Sequence, residues 1–577
     1  MKRWGPPLAL LALATLLFFA GLGDLGLTDR DEGSNAEAAR EMLESGNWLY
    51  PTLNGEPRFA KPVLIYWLTA TGYLAFGVNE FTARLPSALF ATALIILQYA
   101  FLSRLWGSFV GLLGALILLL NIEMVAIGRL ALTDGVLIFF VTLSLFCFWL
   151  GLHEENGRRF FWLFYIGMAL GTLTKGPLGF IVPLVVVLPY LTVTRRWPQF
   201  RRNGFPVAGS LLFLILAAPW YAIMLWIHGT RYTASARADT VGRFFSIIGG
   251  HGGTIFFYIP VLLFGFFPWS AFLPVATYQA LKRWREYRDP EYAERTSSGP
   301  AWRPPSAHEL EFFAALWLVA GFLFFSLSAT RLPHYIGPLY PAAAILIASY
   351  WKRAITDPLT PGITLGFRLL LVLGYLLGFA LILSRPLYWQ FINHVAKEFP
   401  VAAQVDPGNG PMMAGLILLI GVGVTAYFGL SPERRAGAFW AAGVTIGLVI
   451  LVAVEVTLPR FSRYFIDPPH ELAYVAGLNL APHDQLIVYG PPKPSVLFYA
   501  KRRALLIKPG EEEQMRPYLH GEGRTMILLP SRLKPKLPVE AAQFSPILER
   551  YGYSLVANQP MVTLPPAPPR PPNPHGF

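Results

Sequence analysis

Thirteen apolar runs of transmembrane character fill most of this sequence and decide what it can fold into. They lie at 7–27, 84–103, 108–127, 134–151, 160–173, 177–193, 206–226, 254–276, 310–328, 335–350, 366–384, 412–430 and 436–457. A helix across a bilayer needs about 20 apolar residues at about 1.5 Å each, and two of the runs are short by that measure. Only 14% of the 577 residues are charged and the mean hydropathy is +0.46. A soluble domain carries about 25% charged residues, so a soluble globular protein is excluded. The expected fold class is a polytopic α-helical membrane protein of about thirteen transmembrane helices.

The net charge of +13 does not point to nucleic acid. The bases fall mostly as pairs between apolar runs, and no basic face with interleaved exposed aromatics accompanies them. Lys2 and Arg3 precede the first run, which is longer than a signal peptide's core and lacks a small-residue cleavage site, so it reads as an uncleaved helix. The one cysteine, Cys147, lies inside an apolar run, and neither a disulfide nor a thiolate metal site follows from it.

Charge placement sets the orientation. If the runs alternate, Arg158/Arg159, Arg195/Arg196/Arg201/Arg202, Lys282/Arg283/Arg285, Lys352/Arg353 and Arg434/Arg435 share one side, which the positive-inside rule assigns to the cytoplasm. The first outer loop, 28–83, then faces outward. Its segment 28–61 holds seven acids (Asp29, Asp31, Glu32, Glu37, Glu41, Glu44, Glu56) against four bases (Arg30, Arg40, Arg58, Lys61). Counting 62–78 as a span would invert every later basic pair, so parity predicts a helix at the outer interface, with Tyr66, Trp67 and Tyr73 suited to the headgroup layer. A fourteenth span with another run miscounted is the alternative.

Within that loop, Ala36, Ala39, Met42 and Leu43 recur at helical spacing and Gly46 follows, which predicts a short amphipathic helix over 32–46. After the transmembrane part, 1–460, the character changes. QLIVYG, ALLIK and TMILLP read as strands, and HELAYVAGLNL and PSVLFYAKR read as helices. A small α/β domain is expected over 461–564 on the outer side, followed by a disordered proline-rich tail, 565–577.

Ionisable groups at the edges of apolar runs cost several kcal/mol unless paired or hydrated, which makes them the default functional candidates. They are Asp31, Glu32, Arg58, Lys61, Arg129, Asp134, Lys175, Arg243, Arg331 and His334, with Tyr335 beside the last. All fall on the outer face by the alternation above. Acids and cations converging there would make an anion site with a base beside it. Each residue also has an ordinary reading: Asp31 or Glu32 as a helix cap, Asp134 bridged to Arg129, Lys61, Lys175 and Arg331 reaching lipid phosphates, and His334 as a hydrogen-bonding interfacial residue. No Walker loop, HExxH or GxSxG is present, and no metal is called for.

The stretch DRDEGSNAEAAREMLESGNWLYPTLNGEPRFAKPVLIYWL resembles the first outer loop of the bacterial aminoarabinose transferase and protein O-mannosyltransferase group, membrane glycosyltransferases of the GT-C class. The likeness continues through RLALTDG, GTLTKGPLG, APWYAI, FFYIPVLLFGFFPWSAFLP and SATRLPHYIGPLYPA, over roughly residues 1–350 in the same order. It implies the GT-C fold, thirteen spans, outer-loop helices along the membrane and a periplasmic C-terminal domain. It also implies a bacterial inner (plasma) membrane location and a sugar donor carried on polyprenyl (undecaprenyl) monophosphate. Two departures stand out. Ala60-Lys61-Pro62 replaces the family's Glu-Lys-Pro, and ADTVGRF, ending near Arg243, lacks its His-Glu-His run. Neither a zinc ion nor aminoarabinose itself therefore follows from the resemblance.

On this reading Asp31 is the general base of an inverting transfer to an envelope acceptor such as lipid A, another glycolipid, a glycan or a protein. Glu32 and Asp134 orient the acceptor or sugar, and Lys61 and Arg243 hold the phosphate with help from Tyr335 and Lys175. Fixed cations stabilise the leaving phosphate, so no cofactor is required. The alternative class is a secondary transporter or lipid flippase, which would want acids near the midplane and repeat symmetry. A non-catalytic scaffold is the other.

Overall fold

The computed structural model describes residues 5–29, 31–246, 252–287, 307–398, 401–519 and 523–559. The proline-rich tail lies outside them. Among the described residues, seven helices are each long and apolar enough to cross a bilayer, or eight spans if one bent pair counts as a span. They include Glu80–Trp106, Thr133–His153, Pro206–Arg237 and Gly410–Leu430. Shorter apolar helices, Gly5–Phe19 and Leu178–Val193 among them, stand beside these.

Three of the apolar runs differ from single straight spans. The run at 7–27 is helical only to Phe19, because glycines follow and Gly21 takes a φ of +59°. The run at 108–127 divides into Ser108–Leu119 and Ile122–Arg129, bent by 67°. Asn121 makes the break by capping the second piece, its side chain accepting from the N–H groups of Glu123 and Met124 at 2.9 and 3.2 Å. The run at 254–276 is split into Tyr258–Gly265, the short turn Trp269–Ala271 and Leu273–Tyr287. Pro268 stands at that break, where it has no N–H to give.

The segment expected at the outer interface forms the helix Leu64–Phe76. Its 13 residues span about 20 Å, well short of the roughly 30 Å hydrocarbon layer. The amphipathic helix precedes it as Asp31–Ser45 and stops at Gly46, whose φ is +68°. A tight hairpin joins the two, with β1 (Thr52–Leu53) paired to β2 (Glu56–Pro57).

The C-terminal part carries a five-stranded sheet. Its strands are β3 (Gln485–Tyr489), β4 (Leu505–Ile507), β5 (Thr525–Pro530), β6 (Ser545–Arg550) and β7 (Tyr553–Ala557), in the order β4-β3-β5-β7-β6. β3 is parallel to both β4 and β5, and the short helix Ser495–Ala500 lies on the β3-to-β4 crossover. β7 pairs antiparallel with β5 and with β6. The first three strands are the apolar runs expected from sequence. β6 and β7 were not expected: β6 is largely exposed and lacks a buried apolar alternation, and β7, though buried, is the short run YSLVA interrupted by Ser554. The helix Asp467–Asn479 continues one helical run begun near Pro432 in the membrane part, so no break marks residue 461.

The two ends of the bundle are chemically distinct. At one end Glu309 accepts from Arg196 at 2.7 Å and from Tyr190 at 2.8 Å, with His153 at 3.1 Å. Arg353 pairs with Glu311 there, and Arg104 with Glu154. His153 and Thr133 are the two ends of one helix, about 30 Å apart at 1.5 Å per residue. The Thr133 end faces Asp31 and the sheet.

Candidate functional site

Helix ends build the cluster. Asp134 sits in the first turn of Thr133–His153, and Lys175 is the last residue of the neighbouring antiparallel helix Phe160–Lys175. An acid at an N-terminus and a base at a C-terminus each complement the helix dipole, and here they meet, Lys175 Nζ lying 2.7 Å from Asp134 Oδ1. Gly176, with φ +68°, ends the lysine's helix. The next helix returns so closely that a Cβ on Gly179 would lie 2.1 Å from the carbonyl carbon of Gly171. Small residues at this crossing therefore fix where Lys175 stands.

Around that pair stand the other candidates. His334 Nε2 is 3.9 Å from Asp134 Oδ2, and Lys175 Nζ lies 4.5 Å above the Tyr335 ring. Arg58 donates through Nε to the Tyr66 hydroxyl at 3.0 Å. Asp31 opens the helix Asp31–Ser45 and shares this space. Burial alone would raise its pKa, yet Lys61, Lys175 and Arg58 together outweigh burial and the nearby Asp134 charge, and hold it below the usual 3.8. Asp31, Arg58, Lys61, Asp134, Lys175, His334 and Tyr335 thus converge, although up to 304 positions separate them in sequence. Three cations against two carboxylates leave a surplus of one positive charge.

Three candidates stand elsewhere, and the side chain of a fourth lies outside the described residues. Glu32 faces away from the cluster and is sealed in a buried ion pair: Arg84 donates to it through Nε at 2.7 Å and Nη2 at 3.1 Å. It also accepts from Thr28 N at 2.7 Å, from Thr28 Oγ1 at 3.0 Å and from Ala131 N at 2.9 Å. Burial opposes its ionisation, but Arg84 and these donors hold its pKa below the usual 4.5. Arg129 does not bridge to Asp134; its Nη1 donates to the Leu17 carbonyl at 3.0 Å, tying the first helix to the bent one. Arg331 is spent on the carbonyls of Gly253 and Ser326. Arg243 begins the short helix Arg243–Phe245, and its side chain lies outside the described residues.

Sequence reasoning missed Arg84, which stands at the edge of an apolar run and met the same criterion as the others. It also missed Asp29, whose ion pair with Lys493 at 2.7 Å joins the outer loop to the sheet. Among the described residues no three His, Cys, Asp or Glu side chains gather as a metal site.

Comparison with known proteins agrees with this architecture. The dolichyl-phosphate-mannose-protein mannosyltransferase family profile matches residues 31–233. The undecaprenyl phosphate-α-4-amino-4-deoxy-L-arabinose arabinosyl transferase 2 of Pseudomonas fluorescens is 33% identical, over 80% of this chain and 77% of its own. The corresponding transferase of Edwardsiella ictaluri is 28% identical over 78% of this chain and 77% of its own. The fold matches that of the crystal structure of ArnT from Cupriavidus metallidurans bound to undecaprenyl phosphate, with a TM-score of 0.75, 22% identity and coverage of 96% of this chain and 98% of that one. The chain belongs to the family of bacterial undecaprenyl phosphate-aminoarabinose arabinosyl transferases, membrane proteins of the GT-C fold.

Proposed function

We propose that this protein is an inverting membrane glycosyltransferase that moves a sugar from a polyprenyl monophosphate to a hydroxyl of an envelope acceptor such as lipid A, another glycolipid, a glycan or a protein. One observation carries the reading: Asp31, held ionised at a helix N-terminus, faces a cluster whose surplus positive charge equals the single negative charge of a phosphodiester donor.

In the proposed reaction the acceptor oxygen attacks the anomeric carbon from the face opposite the phosphate. Asp31 takes the acceptor proton as the new bond to oxygen forms. The bond from the anomeric carbon to the phosphate oxygen breaks, and its electron pair leaves with the phosphate. Lys61, Lys175 and the Tyr335 hydroxyl meet the growing phosphate charge, with Arg243 expected to join them. Cations already in place cost no reorganisation as that charge develops, so the leaving group needs no separate acid. Asp134 holds Lys175 and His334 in register. Glu32 is a structural anchor in this scheme, and Arg58 orients Tyr66 beside the base.

The polyprenyl tail would run along the apolar side of Leu64–Phe76, where Leu74 and Phe76 are exposed. The clustering of cytoplasm-type basic pairs at the opposite end supports an outward, periplasmic placement of the site and the sheet in a bacterial inner membrane. The sugar is expected to be a pentose or hexose, with aminoarabinose the first to try and lipid A the first acceptor.

The test is direct. Purified protein in lipid nanodiscs is given undecaprenyl-phosphate-linked sugar and envelope glycolipid, and the products are weighed by mass spectrometry. A product heavier by one glycosyl unit supports the reading. Intact donor taken across proteoliposomes with no covalent product would favour a transporter instead.

A further inference from the structure

Asp31 does not fix its own position; the residues on either side of it do. On one side, Glu32 ties the first turn of the helix to Arg84 and Ala131 in the membrane part. On the other, Asp29 ties the incoming chain to the sheet-bearing part. Lys493 Nζ donates to Asp29 Oδ2 at 2.7 Å, and the Ser495 hydroxyl donates to Oδ1. Lys493 and Ser495 lie on the turn from β3 into the helix Ser495–Ala500.

The junction is tight. A Cβ on Gly33, in the first turn of the Asp31 helix, would lie 2.8 Å from the backbone nitrogen and Cα of Ser495. His470 Nε2 is 3.0 Å from Ser495 Oγ, and its ring stacks on Tyr499 with centroids 4.1 Å apart. The Tyr499 hydroxyl in turn accepts the Leu27 N–H at 2.9 Å. An Asp-Ser-His chain of this kind resembles a nucleophilic triad, but Ser495 is wholly buried and His470 nearly so, and no substrate can reach them. The serine's one proton goes to Asp29, so the histidine donates to the serine. The assembly is a strut between the last transmembrane run, the sheet and the segment that presents Asp31.

We infer that Lys493 and Asp29 are positioning residues for the transfer reaction, through which the C-terminal part holds the Asp31 carboxylate at the attack geometry. This rests on Asp31 being the base. Glu32 is anchored to the bundle while Asp29 and Gly33 meet the sheet side, so the helix start that carries Asp31 is held from two directions. Releasing the sheet-side anchor lets that turn shift while the phosphate-binding cations stay where they are.

The experiment compares wild type, Lys493→Met, Lys493→Arg and Asp29→Asn as full-length protein in nanodiscs, measuring kcat, donor KM and binding of undecaprenyl phosphate. Displacing a catalytic group by about 1 Å costs roughly 100-fold. Lys493→Met is therefore expected to lose about 10- to 100-fold in kcat while donor KM and lipid-phosphate binding stay within about twofold, and Lys493→Arg to recover most of the rate. If Lys493→Met does not fold, Asp29→Asn carries the test, because it keeps an acceptor for Ser495 and removes only the ion pair. Wild-type kcat in the folded variants overturns the inference. So does a loss shared equally by kcat, donor binding and thermal stability, which would mark a merely structural contact. Asp31→Asn is run in parallel. If it stays active, the base assignment has failed; if it is inactive while Lys493→Met turns over at the wild-type rate, only the positioning role has failed.

Discussion

Adjacent carboxylates, Asp31 and Glu32, are assigned opposite roles, and Glu32→Gln separates them. The Glu32 and Arg84 side chains are 1% and 3% exposed, and the carboxylate accepts five hydrogen bonds. Glutamine keeps one acceptor oxygen, but it sets an NH2 group against donors and leaves the Arg84 charge uncompensated. Breaking one side of a buried ion pair costs about 3–5 kcal/mol. At roughly 2 °C per kcal/mol for a large chain, the melting temperature should fall by about 6–10 °C. The measurement is thermal unfolding in detergent, followed by transfer assays well below the new midpoint. The variant should there keep undecaprenyl phosphate binding near wild type while losing about 10- to 100-fold in kcat without abolishing it, because Glu32 does not face the cluster but anchors the turn that carries Asp31. The Glu32 carboxyl is also held below its ordinary 4.5, so its stabilising contribution is complete above that pH and is lost as the pH falls toward the folded value. The melting-temperature gap between wild type and variant should narrow in acid. An unchanged melting temperature with abolished turnover would refute the reasoning and return Glu32 to the chemistry.

Three further outcomes are expected. Asp31 is held below 3.8 by Lys61, Lys175 and Arg58 against the cost of burial, so kcat/KM should show no acid limb from the base down to about pH 5, and Lys61→Met should move that limb upward. Lys175→Met removes a charged donor and leaves Asp134 Oδ1 without its lysine partner, and donor affinity measured by binding of undecaprenyl phosphate should fall about 10- to 100-fold, at roughly 1.5–3 kcal/mol for a hydrogen bond to a charged group. Gly179→Ala places a methyl against the backbone of Gly171, where no flexible side chain can yield; a loss of about 1–3 kcal/mol with weakened donor binding is expected, and unaltered stability and binding would show that this crossing does not position Lys175.

The membrane part was legible because lipid imposes a length and a composition on whatever crosses it, and β3, β4 and β5 because each is a short run of consecutive apolar residues. The kinks were less so. Asn121 with Glu123 two residues on is a cap signal, yet an uninterrupted apolar run on either side hid it. The candidate site was partly legible for an energetic reason: Asp134 and Lys175 are too costly at a membrane edge to be incidental. Their partners were not, since Lys175 meets Asp134 across 41 positions and Lys493 meets Asp29 across 464, and no local pattern encodes such pairings. Glu32 illustrates the converse. Beside Asp31 it looked like a second catalytic acid, and only the packing of Arg84, 52 positions away, turns it aside.

In the proposed reaction Asp31 removes the acceptor's proton while the neighbouring cations hold the donor. The decisive variant is Asp31→Asn in nanodiscs, with glycosyl transfer and undecaprenyl phosphate binding measured on the same preparation. No detectable glycosylated product and a lipid-phosphate affinity close to wild type are expected. Transfer at the wild-type rate, or loss of donor binding in step with activity, would contradict this role of Asp31.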